Sequence, residues 1–324
     1  MKIRVISKII DWWRSDYTAP QEGSEVKKGI DWVGSIPFLL VHVMSFGVIW
    51  VGWNLFAIYF ALIFYLIRMF GITAFYHRYF AHRAFETNRF FAFLFAFLGC
   101  SAMQRGPLWW AAIHRHHHLY ADTDKDIHSP VIQGFIWSHI GWILAYANKR
   151  TRVEYLKDWL KYPEIVFLDR FALAVPVVAG FSILGIGHLL YLFAPGLGTN
   201  GLQLAIWGFF VSTVFCSHAT FSINSIDHMY GSRRYEMQNT SRNNLLMAIL
   251  TLGEGWHNNH HHYPATAHAG FYWWEIDITY YLLELLSWFG IVKHLRLLPD
   301  HIRDKDRIGN KVRTATDKSG AQPM

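Results

Sequence analysis

Cysteine is almost missing: Cys100 and Cys216 are the whole supply in 324 residues. That excludes a disulfide framework and any thiolate metal or redox motif. Charge is thin as well, at 16% of residues, where an ordinary soluble domain carries about 25%. Two stretches hold no Asp, Glu, Lys or Arg at all, Val33 to Ile67 and Phe171 to Ile226. No glycine-rich flavin or nicotinamide motif is present, so electrons for any redox chemistry must arrive from outside. The net charge of +7 is not gathered on a soluble basic face, which argues against nucleic acid and for anionic headgroups.

What the chain has instead is apolar and aromatic bulk: 52% hydrophobic residues, with 15 Trp, 16 Tyr and 25 Phe. A bilayer-crossing helix needs roughly 20 apolar residues, so each uncharged block can supply two. The first block breaks at Gly52-Trp53-Asn54, the second between Ala194 and Gly201, where Gly, Pro and Asn favour turns. The expected architecture is therefore all-α: four membrane helices in two hairpins, over about 34–52, 55–75, 171–192 and 201–220. Lys27, Lys28, the run from Lys149 to Lys161, Arg233 and Arg234 all lie outside the tight turns. The positive-inside rule then places both termini and the middle segment in the cytoplasm of a multi-pass protein, expected in a bacterial inner membrane. Residues 1–32 read as an interfacial segment, 33–298 as one membrane-plus-cap domain and 299–324 as a polar tail.

Histidine is in excess, 19 in all. Most gather in three clusters just beyond apolar segments: His77 and His82, then His114 with His116, His117 and His118, then His257 with His260, His261 and His262. A helix turns about 100° per residue. His114, His117 and His118 can therefore converge, as can His257, His260 and His261, while His116 and His262 point elsewhere. His77 and His82, five apart, would not share a face on a regular helix. Either the helix ends between them or they face different metals. Eight imidazoles exceed one tetrahedral zinc site and suit two metals of higher coordination. Chemistry on O2 needs a redox metal, which favours iron over zinc. An isolated histidine such as His42 reads instead as hydrogen-bonded within the bundle.

These motifs, with their surrounding text HRYFAHRAF, WWAAIHRHHHLYADTDKDIHSP and GEGWHNNHHHYP, resemble the three histidine boxes of membrane fatty-acyl desaturases. The likeness is greatest to the acyl-CoA/acyl-lipid Δ9 type, exemplified by stearoyl-CoA desaturase. The resemblance implies four membrane helices beneath a cytoplasmic helical cap that holds a di-iron centre. It adds His228 as a ninth histidine ligand and Asn224 as a group reaching one metal through water, both in Asn224-Ser225-Ile226-Asp227-His228. It also implies a kinked acyl tunnel, for which Trp109 and Trp110 are candidate walls. Imidazole ligands usually hand their other N–H to a carboxylate. Asp227 and Glu254 are the favoured recipients, with Asp122, Asp124 and Asp126 behind them.

The implied reaction is O2-dependent removal of two hydrogens from adjacent methylenes, leaving a cis double bond, by resemblance at Δ9. The acyl group arrives on CoA or on a membrane lipid. Two departures weaken the CoA alternative: Ala112 stands where acyl-CoA members carry Arg, and His128 is followed by SPVIQG rather than a basic pair. Electrons come from a separate ferredoxin, rubredoxin or cytochrome b5 with its reductase. A hydroxylase or ketolase on the same scaffold fits the box spacing less well. A metal transporter would need ionisable groups inside the spans.

Overall fold

The computed structural model describes residues 29–308. The segment 1–28, with most of the expected interfacial stretch, and the tail beyond 308 lie outside the described residues. The described residues are mostly helical, with one two-stranded sheet among them, β1 (Glu86–Thr87) against β2 (Val292–Lys293), antiparallel.

The first uncharged block folds as α1 (Ile36–Val51) and α2 (Leu55–Ala81). Gly52, at φ +65°, makes the turn between them, a left-handed conformation that costs glycine nothing. Asn54 starts α2 by accepting the Ala57 N–H on its side chain. The second block folds as α6 (Ala174–Phe193) and α7 (Gly201–His228), parted by a turn that Asn200 closes by capping Gln203. Three of these helices, α2, α6 and α7, are long and apolar enough to cross a membrane; α1 is shorter. Both hairpin turns fall where Gly, Pro and Asn placed them. α2 and α7, however, run past their expected ends of 75 and 220 and carry their last turns into the histidine region.

Between the hairpins lie α3 (Arg89–Cys100), α4 (Pro107–Tyr120) and α5 (Pro163–Arg170). After α7 come α8 (Leu245–Leu250), α9 (His257–His262) and α10 (Ile278–Trp288). The largest core runs from the upper half of α2 through α3 and α4 to α5, with Phe75, Phe80, Phe85, Leu108 and Trp159 buried in it. Arg68 is wholly buried within α2. Its guanidinium donates to Thr213 Oγ1 at 2.6 Å, to the Ser101 carbonyl and to Ser212 Oγ. A charge inside a span is tolerated when protein hydrogen bonds replace water in this way.

Candidate metal centre

Four helices carry the histidines to one place. The upper part of α2, Gly71–Ala81, is wound in wide π-type turns, and the His82 N–H bonds the His77 carbonyl five residues back at 3.2 Å. Wider turns bring residues five apart onto one face. Of the two expected alternatives the structure shows the first: α2 ends at Ala81 with His82 as its C-cap, and the two histidines do not part into different groups. Their rings lie 4.8 Å apart. α4 is started by Asp169, whose Oδ1 accepts the Leu108 and Trp109 N–H groups at 2.8 and 2.9 Å. α9 is only six residues long, and Asn243 Oδ1 accepts the Asn258 and Asn259 N–H groups at its start. Gly253 enters it at φ +125°, where a Cβ would stand 2.4 Å from Asp277 Oδ1.

The nine histidines divide into two groups, His77, His82, His114, His118 and His260 in one, and His117, His228, His257 and His261 in the other. Within each, the ligand atoms lie within 4.8 Å of one another. The second and third boxes thus do not converge as units. His117 leaves its helical neighbours for the four-membered group, and His260 leaves His257 and His261 for the five-membered one. One α-helical face is broad enough to serve two centres, which spacing alone does not show. His116 stays out, its ring tilted against that of Tyr120, and His262 lies flat on Tyr235 with ring centroids 3.8 Å apart.

In both groups the Nε2 atoms face inward. Neighbouring Nε2 pairs in the first are 2.8–3.0 Å apart, and in the second 3.1–3.3 Å. Two nitrogens about 2.1 Å from one ion are roughly 3.0 Å apart at a right angle and roughly 3.4 Å apart at the tetrahedral angle. Both groups are therefore spaced closely enough for the nitrogens of each to share one ion. Burial first, and neighbouring imidazoles second, push His82, His114, His118, His257, His260 and His261 well below the usual histidine range. They are neutral, the form in which imidazole can take up a metal.

Three of the outward Nδ1 atoms meet carboxylates. His77 Nδ1 is 2.6 Å from Glu254, His228 Nδ1 is 3.0 Å from Asp122, and His117 Nδ1 is 3.1 Å from Asp126. Burial alone would raise these acids. The partners His77 and Arg78 hold Glu254 below its ordinary value, His228 does so for Asp122, and His117 for Asp126. Arg78, itself buried, clamps Glu254 and Asp277 together.

Asp227 is a correction. Both its oxygens are buried without a hydrogen-bond partner among the described residues. It sits in a 3₁₀ turn, Ile226–His228, where adjacent side chains point about 120° apart. With His228 turned into the cluster, Asp227 is turned away. Asp122 and Asp126, ranked behind it in sequence, take the part instead. Their signal was position: both follow the second box within one tight loop, and Asp122 adopts φ +59°.

Two adjoining cavities open beside the histidines. One, of about 30 Å³, is walled by Trp109, Trp110, Gln104 and Phe221 among others; the second, also of about 30 Å³, reaches along α2 to Met69. Trp110, His114, Thr220 and Asn224 line both. Gln104 donates to Thr220 Oγ1 at 2.9 Å between them. Neither residue was singled out in sequence, because a lone Gln or Thr in apolar text carries no pattern. Asn224 thus borders both cavities, the second of which histidines of both groups also line.

The chain belongs to the fatty acid desaturase family, whose family model matches residues 50–284. It is 34% identical over 277 residues to an sn-1 stearoyl-lipid 9-desaturase of Anabaena variabilis, covering 85% of this chain and 97% of that one. It is 35% identical to Delta-9 acyl-lipid desaturase 1 of Arabidopsis thaliana, over 83% of this chain and 85% of the relative. An acyl-CoA 5-desaturase of Anemone leveillei is 36% identical over 81% of this chain and 75% of its own length. The protein is therefore an oxidoreductase of fatty-acid metabolism and a membrane protein.

Proposed function

We propose that this desaturase places a cis double bond at Δ9 in a saturated long-chain acyl group, carried on a membrane lipid or on CoA. Two iron ions serve it. One is held by His77, His82, His114, His118 and His260. The other is held by His117, His228, His257 and His261, with Asn224 acting through water. The observation that carries this reading is the division of nine inward Nε2 atoms into two compact groups with carboxylates behind them. When bound, the irons supply the activation of O2 that an unactivated methylene requires.

The protein's own work is placement. Glu254, Asp122 and Asp126 fix the tautomer and aim of three imidazoles, and their negative charge offsets that of the metals. Trp110, stacked on His114 with ring centroids 5.0 Å apart, and Met69, Ile72 and Ile223 keep the cavity apolar and hold two neighbouring carbons beside the cluster. Four membrane helices with the histidine end toward the cytoplasm complete the topology, α1 counting as the fourth. Both relatives named for acyl-lipids fit Ala112, which leaves no cation there for CoA phosphates. A separate iron–sulfur protein, rubredoxin or cytochrome b5 supplies electrons.

The test is expression in a host lacking Δ9 unsaturation, with a supplied electron donor and gas chromatography of fatty-acid methyl esters. A new Δ9 cis-monoene is expected. Hydroxylated products without any alkene would remove the desaturase assignment, and a double bond at another position would remove Δ9.

A further inference from the structure

The lipid-facing part of α2 is too short for the bilayer it crosses. Leu55, Tyr59, Leu62, Ile63, Leu66 and Ile67 are exposed, but from Arg68 to Ala81 every residue except half-buried Phe70 is buried. Leu55 to Ile67 spans about 20 Å at 1.5 Å per residue, against a hydrocarbon core of about 30 Å. Something other than α2 must meet lipid over the remaining 10 Å or so.

Three short helices occupy that height. α3 lies against α2 through small residues: a Cβ on Gly71 would come within 3.0 Å of the Gly99 backbone. Its outward stripe is Phe90, Leu94 and Phe97, at i, i+4 and i+7. α8 meets α2 where the Tyr65 hydroxyl donates to the Leu250 carbonyl. It exposes Leu245, Leu246, Ile249 and Leu250. α10 is tied to α2 by Thr279 and Thr73, 2.8 Å apart. It exposes Tyr281 and Leu285 and, at its end, Trp288 and Phe289. None of these outward positions is charged. The first charge beside α3 is the exposed Arg89–Glu164 pair at its start, and a carrier protein would be expected to seek basic residues.

We infer that α3, α8 and α10 form a collar sunk into the leaflet on the histidine side, with α3 and α8 in hydrocarbon and Trp288 at its interface. Continuity with the exposed face of α2 selects lipid as the occupant. His77 stands ten residues past Ile67, on the order of 15 Å. The metal centre then begins only about 5 Å beyond the hydrocarbon edge, at headgroup depth. A membrane lipid can offer its acyl chain there without leaving the leaflet. The inference rests on the membrane reading of the chain, and not on its activity.

The test uses nitroxide labels on Leu94→Cys, Ile249→Cys and Trp288→Cys in the full chain, held in nanodiscs of phosphatidylcholine and phosphatidylglycerol. Cys100 and Cys216 are buried and escape labelling. Collision rates with O2 and with anionic chromium oxalate are compared with Ile63→Cys in the span and Lys305→Cys in water. The O2-to-chromium ratio at 94 and 249 should match that at 63 and exceed that at 305 by at least about tenfold, since a charged reagent is excluded from hydrocarbon. Trp288 should fall between. Ratios at 94 and 249 like that at 305 would overturn the collar. So would protection from both reagents, which would mean that protein covers these faces. Neither outcome depends on whether the enzyme turns over.

Discussion

The two histidine groups are neighbours built from the same boxes, yet they differ in how complete they are. The five-membered group takes His77 from α2 and His82 just past its end, two histidines from α4 and one from α9. The four-membered group takes single histidines from α4 and α7 and two from α9. Their supports differ too. Glu254 backs the first within a buried cluster with Arg78 and Asp277. Asp122 and Asp126 back the second from one loop, where Asp122 also accepts Ser129 Oγ and the Thr240 N–H.

The largest effect should come from removing a ligand. His118→Ala should cost the five-membered group its metal and His257→Ala the other. Each variant should fall from about two irons per chain to about one and form no detectable double bond. Loss of both metals in either variant, read by elemental analysis, would show that the groups are one interdependent site. Next come the carboxylates. Glu254→Gln should weaken metal at the five-membered group, and Asp122→Asn at the other, each by about 10–100-fold. Equal weakening at both sites in either variant would erase the distinction.

Acid should act on both groups together. In the unfolded chain the imidazoles titrate near 6.5, while in the folded protein six of them are held far lower. Between those values the unfolded state binds more protons, so this part of the stability rises with pH and is lost as pH falls below about 6.5. The metal-free protein in detergent should therefore melt progressively lower from about pH 7.5 to 5.5. The depressed carboxylates contribute no change in that window, since their stabilisation is lost only below their unfolded values of 3.8 and 4.5. A flat melting curve would contradict the buried, neutral imidazoles. The smallest effect belongs to the excluded histidines. His262→Ala should lose about 0.5–1.5 kcal/mol of stacking on Tyr235 and keep both metals, and His116→Ala should keep them too. Iron loss in the His262 variant would break the sorting.

Much of this was legible because the signals were local. Uncharged length marked α2, α6 and α7, and turn residues placed both hairpin breaks at Gly52 and near Pro195. Helical spacing correctly set His116 and His262 aside from the clusters. What spacing could not carry was the partition between two groups, because His117 and His118 are adjacent on one helix and part only when α2, α7 and α9 are in place. The pull of Asp122 and Asp126 was hidden for the same reason. Each bonds a histidine fixed by tertiary packing, His228 being 106 positions from Asp122. Asp227 misled because adjacency to a ligand in sequence means divergence from it on a 3₁₀ turn.

The π-type winding of α2 makes the first histidine pair a gauge of helix pitch. Four residues between them suit wide turns, whereas three would suit an ordinary α-helix on the same face. Deleting one residue from Arg78–Ala81 would therefore be survivable for the pair only if the helix rewound, and that rewinding would rotate everything beyond it. The pitch also couples the pair to the packing of Gly71 on Gly99, where the wide turns begin. Evolution can lengthen or shorten the outer loops freely, but here an insertion is a change of thread, felt along the whole screw.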